Sequence, residues 1–275
     1  VTGTLFLVGT PIGNLGDISD RARATLASVD LVAAEDTRRS GRLLAHFGIQ
    51  AKTVSLFEGN EQRRTEELLD ALRSGSDVAV VTDAGMPAFS DPGFRLVRAC
   101  VEEGIDVRVV PGPSAAVSAL VVSGLPTDRF VFEGFLPRRA GQRKARLREL
   151  ANDARTVVLY ESPNRVARLL REVLEEIGDR RAAVARELTK LHEEVLRGSV
   201  SEVLARLGGE KIKGEVVVVL EGATEQDEPD LQELVEQARE LVRAGMRKRD
   251  AAARVARRRG GTSNAIYRAL LGRDE

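Results

Sequence analysis

The chain has 275 residues, 43% of them hydrophobic and 31% charged, with 42 basic and 42 acidic side chains. That is apolar sequence enough for the cores of two domains, and the balanced charge leaves any polyanion binding to local clusters. A single cysteine excludes an internal disulfide framework, no apolar run reaches the roughly 18 residues of a membrane span, and no basic flank with an apolar stretch marks a secretory leader, so a cytoplasmic protein is expected.

Strands are expected at 4–8, 29–34, 53–56, 77–82 and 105–110, with helices over 17–28, 61–73 and 94–101 between them. This alternation predicts βαβ units and a parallel sheet. Cys100 sits in the apolar helical pattern of Phe94, Leu96, Val97 and Val101 and reads as a small core residue. A second series follows: strands at 129–134, 156–161, 182–187 and 215–221, and helices at 141–152, 164–177 and 200–207. The two series join near residue 113 without a low-complexity linker. An α/β fold is therefore expected, with an N-terminal α/β domain over 1–113 and a second over 114–224, packed around a shared cleft. After Gly222 the composition changes. Residues 223–230 are polar and acidic and read as a hinge. Residues 231–271 are helical in character, broken at Gly245 and at Gly260-Gly261. They predict a small helical extension over 225–275.

Turn-forming loops follow the expected strands. They are Gly9-Thr10-Pro11-Ile12-Gly13-Asn14, Glu35-Asp36-Thr37-Arg38-Arg39-Ser40, residues 82–93 (TDAGMPAFSDPG), Pro111-Gly112-Pro113-Ser114 and Glu161-Ser162-Pro163-Asn164-Arg165. In a parallel sheet such loops emerge at one edge, where open α/β sheets bind ligands. The first loop is neither GxGxxG nor a Walker A motif, which disfavours a dinucleotide fold and a P-loop NTPase. Ser114 opens an apolar helix that it can cap, and the free N–H groups there suit an anion such as a carboxylate. His46 and His192 lie far apart with no cysteine cluster, so no metal site is expected, and no elbow motif supports a serine nucleophile.

Two stretches are basic. Residues 137–148 carry six Lys/Arg and no acid, among them Arg138, Arg139, Arg143 and Lys144. Residues 243–268 carry nine against Asp250 alone, including Arg247, Lys248 and Arg249. The second also reads as a helix–turn–helix, 248–258 and 263–271, with Thr262 or Ser263 as the cap of its last helix. Both stretches predict nucleic-acid contact.

Taken together, LVGTPIGNLGD (7–17), AEDTRR (34–39), TDAGMPAFSDPG (82–93), VPGPSA (110–115), FEGFLPR (132–138), YESPNR (160–165) and RELTKLHEE (186–194) resemble the tetrapyrrole methylase superfamily. Within it they resemble the branch that modifies ribosomal RNA. The resemblance implies S-adenosylmethionine bound between two α/β domains, 2′-O-methylation of a cytidine ribose in the decoding centre of bacterial 16S rRNA, and a homodimer. It implies cofactor contacts from Gly9, Thr10, Pro11, Gly13, Asn14, Asp83, Ala84, Gly85, Met86, Pro87, Ser114, Ala115 and Tyr160. Asp83 would face the sulfonium, and Gly85 would let the backbone approach closely. A ribose hydroxyl needs a base or a stabilising cation. Glu35, Asp36, Glu161 and Glu187 are candidates for the base, and Arg38, Arg165 and Lys190 for the cation; an interdomain salt bridge is the alternative for each. Two rival functions remain open: a small-molecule tetrapyrrole methyltransferase, and a helix–turn–helix regulator whose α/β part only senses a ligand.

Overall fold

The computed structural model describes residues 1–208, 214–223, 231–259 and 262–272. The chain divides into two compact units, Val1–Ala151 with Arg155–Glu221, and Asn152–Ala154 with Gly222–Glu275. Both α/β series lie within the first unit, so the expected boundary near residue 113 separates two sheets of one body.

The first half runs β1 (Leu5–Val8), α1 (Asp20–Ser28), β2 (Leu31–Ala34), α2 (Thr37–His46), β3 (Thr53–Ser55), α3 (Glu61–Arg73), β4 (Val78–Val81), α4 (Phe94–Glu102) and β5 (Val107–Val110). These five strands pair in parallel in the order β3-β2-β4-β1-β5. β4 is buried at all four positions, as a strand covered on both faces must be, and that is why it reads as an unbroken apolar run. Cys100 is fully buried in the core beside Leu5, Val78 and Leu96, where burial raises its thiol pKa to about 11. One loop is shorter than expected. The Asp36 side chain accepts the Arg38 N–H, so α2 starts at Thr37 and only Glu35 and Asp36 stay outside it.

The second half runs α5 (Ala115–Ser123), β6 (Phe130–Phe135), α6 (Ala140–Leu150), β7 (Thr156–Glu161), α7 (Val166–Glu176), β8 (Arg181–Arg186), β9 (Glu194–Ser199), α8 (Val200–Leu207) and β10 (Val216–Leu220). The sheet order is β6-β7-β10-β8-β9. Only β6 and β7 are parallel; the other pairs are antiparallel. The parallel expectation thus holds for the first sheet and, in this one, for β6 and β7 alone; β9 was not foreseen. Seven residues join β8 to β9, too few for the crossover that parallel neighbours require. The faces of this sheet alternate residue by residue. Val157, Leu159, Val216 and Val218 pack beneath α6, α7 and α8. Val158, Tyr160, Val217 and Val219 pack against Ala116, Ala119 and Leu120 of α5. Ile12 and Ala84, from loops of the first sheet, enter that second cluster. The two sheets therefore share a core at the loop edge.

The second unit carries α9 (Leu231–Arg243), α10 (Lys248–Arg259) and α11 (Ser263–Leu270) around Leu234, Val235, Ala238, Ala251, Ala252, Val255 and Ile266. Gly245, at φ 94°, closes α9 in the left-handed region that favours glycine. Residues 224–230 of the expected hinge and the turn at Gly260-Gly261 lie outside the described residues. Among the described residues no helix is long and apolar enough to cross a membrane.

Candidate active site

The loops after β1, β4 and β5 are tied backbone to backbone. Thr10 and Gly85 exchange N–H···O bonds of 2.9 and 3.1 Å, and the Thr10 hydroxyl donates to the Thr82 carbonyl at 3.2 Å. Gly9 N–H reaches Val110 O at 2.9 Å. A Cβ on Gly9 would sit 2.6 Å from the Gly112 backbone and 2.7 Å from Met86 Sδ, so two glycines are what let these loops touch. Gly85 has φ 90°, outside the range of ordinary side chains. Pro11 and Pro87 are buried behind this contact; Gly13 and Asn14 are exposed, and the Asn14 side chain accepts the Gly16 N–H.

Ser114 holds the N-cap position of α5 in an extended conformation but makes no side-chain capping bond. The expected side-chain cap is thus absent from the first turn of the helix, whose N–H groups have no intrahelical partners. The Ala116 N–H lies against the Tyr160 hydroxyl, whose pKa is raised by burial.

Carboxylates gather beneath the loop after β4. Glu35 Oε2 accepts the Thr82 hydroxyl at 2.6 Å and the Asp83 N–H at 3.2 Å. Asp83 accepts the Asp36 N–H at 3.2 Å and pairs with Arg39 at 3.2 Å. Burial, followed by the Glu35 charge, raises the Asp83 pKa. Asp91 stands beside Thr82, and burial with Glu35 and Asp83 nearby pushes its pKa up to about 6. Asp91 is not among the residues the sequence marks as candidates; its place between two prolines of a cleft loop, Pro87 and Pro92, is the only signal there.

The other candidates are committed elsewhere. Asp36 is held down at about 2 by hydrogen bonds from Arg38. Glu161 follows Val157 and Leu159 onto the α6–α7 face, opposite Tyr160, and its carboxylate takes the Ser162 N–H and Arg165 Nε, both at 2.7 Å. The structure therefore does not bring Glu161 and Arg165 to the face that carries Tyr160. Lys190 pairs with Glu187 at 2.8 Å and lowers its pKa. All of these are local pairs, not ties between the two sheets.

The Glu187–Lys190 turn does close on the first loop: a Cβ on Gly13 would meet Lys190 Cγ at 2.6 Å and Thr189 Oγ1 at 2.9 Å. Thr189 Oγ1 is buried with no hydrogen-bond partner. Ala88, Ser90, Glu187 and Thr189 are the non-glycine residues at positive φ among the described residues, 51–66°. All four lie in loops flanking this cleft. Strain of about 1–3 kcal/mol per residue concentrates at functional sites.

The basic run on α6 needs correction. Arg143 is buried, with Nε 2.5 Å from Glu172 Oε2 and Nη2 2.8 Å from Oε1, and it donates to the carbonyls of Pro137 and Arg138. It is a structural residue, not a surface cation. Lys144 pairs with Glu175 and Glu176, Arg146 with Glu133, and Arg148 with Glu176. The acids that neutralise the run come from β6 and α7, which a linear reading does not see. Arg138 and Arg139 are exposed and join no ion pair among the described residues. In the second unit Arg247, Lys248 and Arg249 are exposed, and Lys248 Nζ also reaches Leu270 O at the end of α11. Thr262 occupies the N-cap of α11 without a side-chain bond. His192 is exposed and His46 sits at the end of α2 against Phe47. Among the described residues no cluster of His, Cys, Asp and Glu suits a metal.

A cavity of about 530 Å³ lies between α2 and β3, lined by Leu44, Ile49, Lys52 and Thr53. It opens at the amino end of β3, the wrong edge for a site built on the loops. At the loop edge, Ile12, Ala115, Ala185, Leu188, Glu215 and Val217 enclose only about 20 Å³. A nucleoside-sized ligand there must spread over the loops themselves.

The sequence of residues 4–204 matches the family model described as Tetrapyrrole (Corrin/Porphyrin) Methylases. The chain belongs to the tetrapyrrole methylase family. It is a methyltransferase, and S-adenosylmethionine is the methyl donor its family implies. It is 47% identical to a Mycobacterium tuberculosis protein named ribosomal RNA small subunit methyltransferase I, over 98% of this chain and 95% of that one. A Thermotoga maritima protein of the same name is 51% identical over 80% of this chain and 99% of its own. An Escherichia coli O157:H7 protein of that name is 44% identical over 98% and 95%. The fold resembles uroporphyrin-III-C-methyltransferase from Thermus thermophilus, with TM-score 0.54, 23% identity and coverage of 80% and 92%. It also resembles cobalt precorrin-4 methyltransferase, with TM-score 0.58, 20% identity and coverage of 79% and 94%. The site fits the donor on its own terms: the first turn of α5 has no side-chain cap and suits a carboxylate, and the buried Thr189 Oγ1 lacks a partner.

Proposed function

We propose that this chain methylates ribosomal RNA of the small subunit, and that the acceptor is the 2′-hydroxyl of a cytidine ribose in the 16S decoding centre. Relatives named for small-subunit ribosomal RNA methylation, at 44–47% identity over nearly the whole chain, support the ribosomal substrate; the cytidine 2′-hydroxyl is what the motif resemblance implies. When bound, S-adenosylmethionine supplies an electrophilic methyl group and a neutral thioether leaving group, so the chain's own work is positioning and proton removal. Gly9, Thr10, Gly85, Met86, Ser114 and Ala115 form the binding edge, with Ala84 and Tyr160 behind it. Asp91, in the loop after β4 beside Thr82, is the group we assign to take the hydroxyl proton. Its carboxyl, poised near 6, is ionised at neutral pH yet more basic than an ordinary aspartate. Asp83, bound to Asp36 N–H and Arg39, holds the loops after β2 and β4 together.

The protein works as a homodimer in the cytoplasm. α5 is apolar on both sides, and Val117 and Val121 stay 48% and 64% exposed on its outward face; a second copy covers them, and sedimentation checks it.

The deciding experiment incubates the protein with labelled methyl donor and 30S particles, then maps modified nucleotides by mass. One 2′-O-methylcytidine in 16S rRNA is expected. Label transferred to a porphyrin precursor, with none in RNA, overturns the reading in favour of the small-molecule rival.

A further inference from the structure

Four aromatic rings cross from the loop after β4 to the second sheet. Phe89 stacks on Phe132 with centroids 4.3 Å apart and planes 17° from parallel. Phe132 meets Tyr160 edge-on at 5.0 Å, and Tyr160 meets Phe135 at 5.6 Å. In a regular strand Phe132 and Phe135 would point to opposite faces, because side chains alternate. Here β6 carries a bulge. Phe132 pairs with Val158, Gly134 with Leu159 and Phe135 with Tyr160, so one residue is extra between Phe132 and Gly134. The bulge brings both phenylalanines to the Tyr160 face. Gly134 makes it possible at φ 58°, with Ser90 Oγ 2.9 Å from where its Cβ would stand.

The row does not end in the core. Phe135 is 58% exposed and Phe89 38%. Just beyond Phe135, Arg138 and Arg139 are exposed and free of ion pairs among the described residues, although every other cation of that run is neutralised. An open ring on a rigid strand beside two unpaired guanidinium groups has the chemistry of a single-stranded nucleic-acid site: the ring takes a base and the cations take phosphate. A buried hinge between the two sheets would explain Phe89 on Phe132, but not the exposed Phe135.

We propose that Phe135, backed by Tyr160 and Phe132, is a stacking platform for one unpaired RNA base, whose flanking phosphates engage Arg138 and Arg139. This rests on the reading of the chain as an RNA methyltransferase and adds where the RNA is gripped.

The chain contains no tryptophan, so Phe135→Trp installs a lone reporter at the platform. Titration with a single-stranded RNA of the acceptor sequence is expected to quench it, and a duplex of that sequence is not. Phe135→Leu should weaken the same RNA roughly 5- to 100-fold, the range for loss of one base–aromatic stack, while Phe135→Trp binds as the unsubstituted chain does. Replacing Arg138 and Arg139 by alanine should flatten the logarithmic salt dependence by about 0.7 for each phosphate no longer neutralised. Unchanged affinity in Phe135→Leu overturns the platform. So does a weakening that tryptophan fails to restore, or an indole that responds to a polycarboxylate porphyrin precursor and not to RNA. None of these readouts needs turnover. A chain that binds and quenches but methylates no rRNA refutes the proposed function alone; one that methylates rRNA with an unaltered KM in Phe135→Leu refutes the platform alone.

Discussion

Arg138 and Arg143 belong to one basic run, yet folding gives them opposite tasks. Arg143 is sealed against Glu172, the two side chains only 6% and 8% exposed. Removing one partner of a buried pair strands the other charge, so Arg143→Ala should cost about 3–5 kcal/mol in urea denaturation. The hydrogen bonds from Arg143 lower the Glu172 pKa. Its contribution is therefore present at neutral pH and is lost as pH falls below the ordinary glutamate value of about 4.3. Arg138→Ala should leave the urea midpoint where it was and weaken RNA binding. If Arg143→Ala kept full stability, the buried pair would be misplaced. Asp91 makes a sharper prediction. A base with pKa about 6 must lose its proton to act, so methyl transfer should rise with pH up to that value and level off above it. Asp91→Asn should remove this limb and slow transfer by roughly 10²–10⁴-fold. A pH profile unchanged in Asp91→Asn would move the base elsewhere. Neither the Arg143 pairing nor the Asp91 environment was legible in sequence. The loop at 82–93 stood out by its glycines and prolines, but the Asp91 environment comes from burial and from Glu35 in the loop after β2, and the Arg143 partner comes from α7.

At the scale of elements, apolar runs located what they could. The parallel strands β1 to β5 and the helices α3 and α8 fall where expected, because burial on two faces or on one stripe leaves a periodic mark. β9 was missed because EVLRGS has one buried position, Leu196, and beyond the half-buried Val195 its other residues are charged, small or polar. The antiparallel pairing of the second sheet was missed because strand direction is fixed by connection length, not by residue type. What the loops do to one another was visible only as an excess of glycine. The close approach of Gly9 to Gly112 turns that excess into a prediction. Gly9→Ala drives a methyl group into the Gly112 backbone, which should cost about 1–3 kcal/mol of stability as overpacking does. It should also weaken S-adenosylmethionine binding in calorimetry, since the loops after β1 and β5 must part. Equal stability and equal affinity would mean that these loops are not clamped as the distances indicate.

For the whole molecule, the question is what the α9–α11 unit adds. It has its own core of Leu234, Val235, Ala251, Val255 and Ile266, and the family match ends at residue 204. The Thermotoga maritima relative leaves about a fifth of this chain without a counterpart, a share the size of this unit, while bearing the same name as the longer relatives. If that unmatched fifth is this unit, the unit should serve affinity rather than chemistry. Arg247, Lys248 and Arg249 open α10 with exposed cations that join no ion pair among the described residues. Cutting the chain after Gly222 should leave transfer to 30S particles at saturating substrate near its full rate and raise KM for RNA. The raised KM should come with a salt slope reduced by about 0.7–0.9 for each phosphate that the helices had neutralised. An unchanged KM and slope would show that the three cations touch no RNA. A folded truncated chain that binds S-adenosylmethionine but transfers nothing would place the helices in the catalytic machinery.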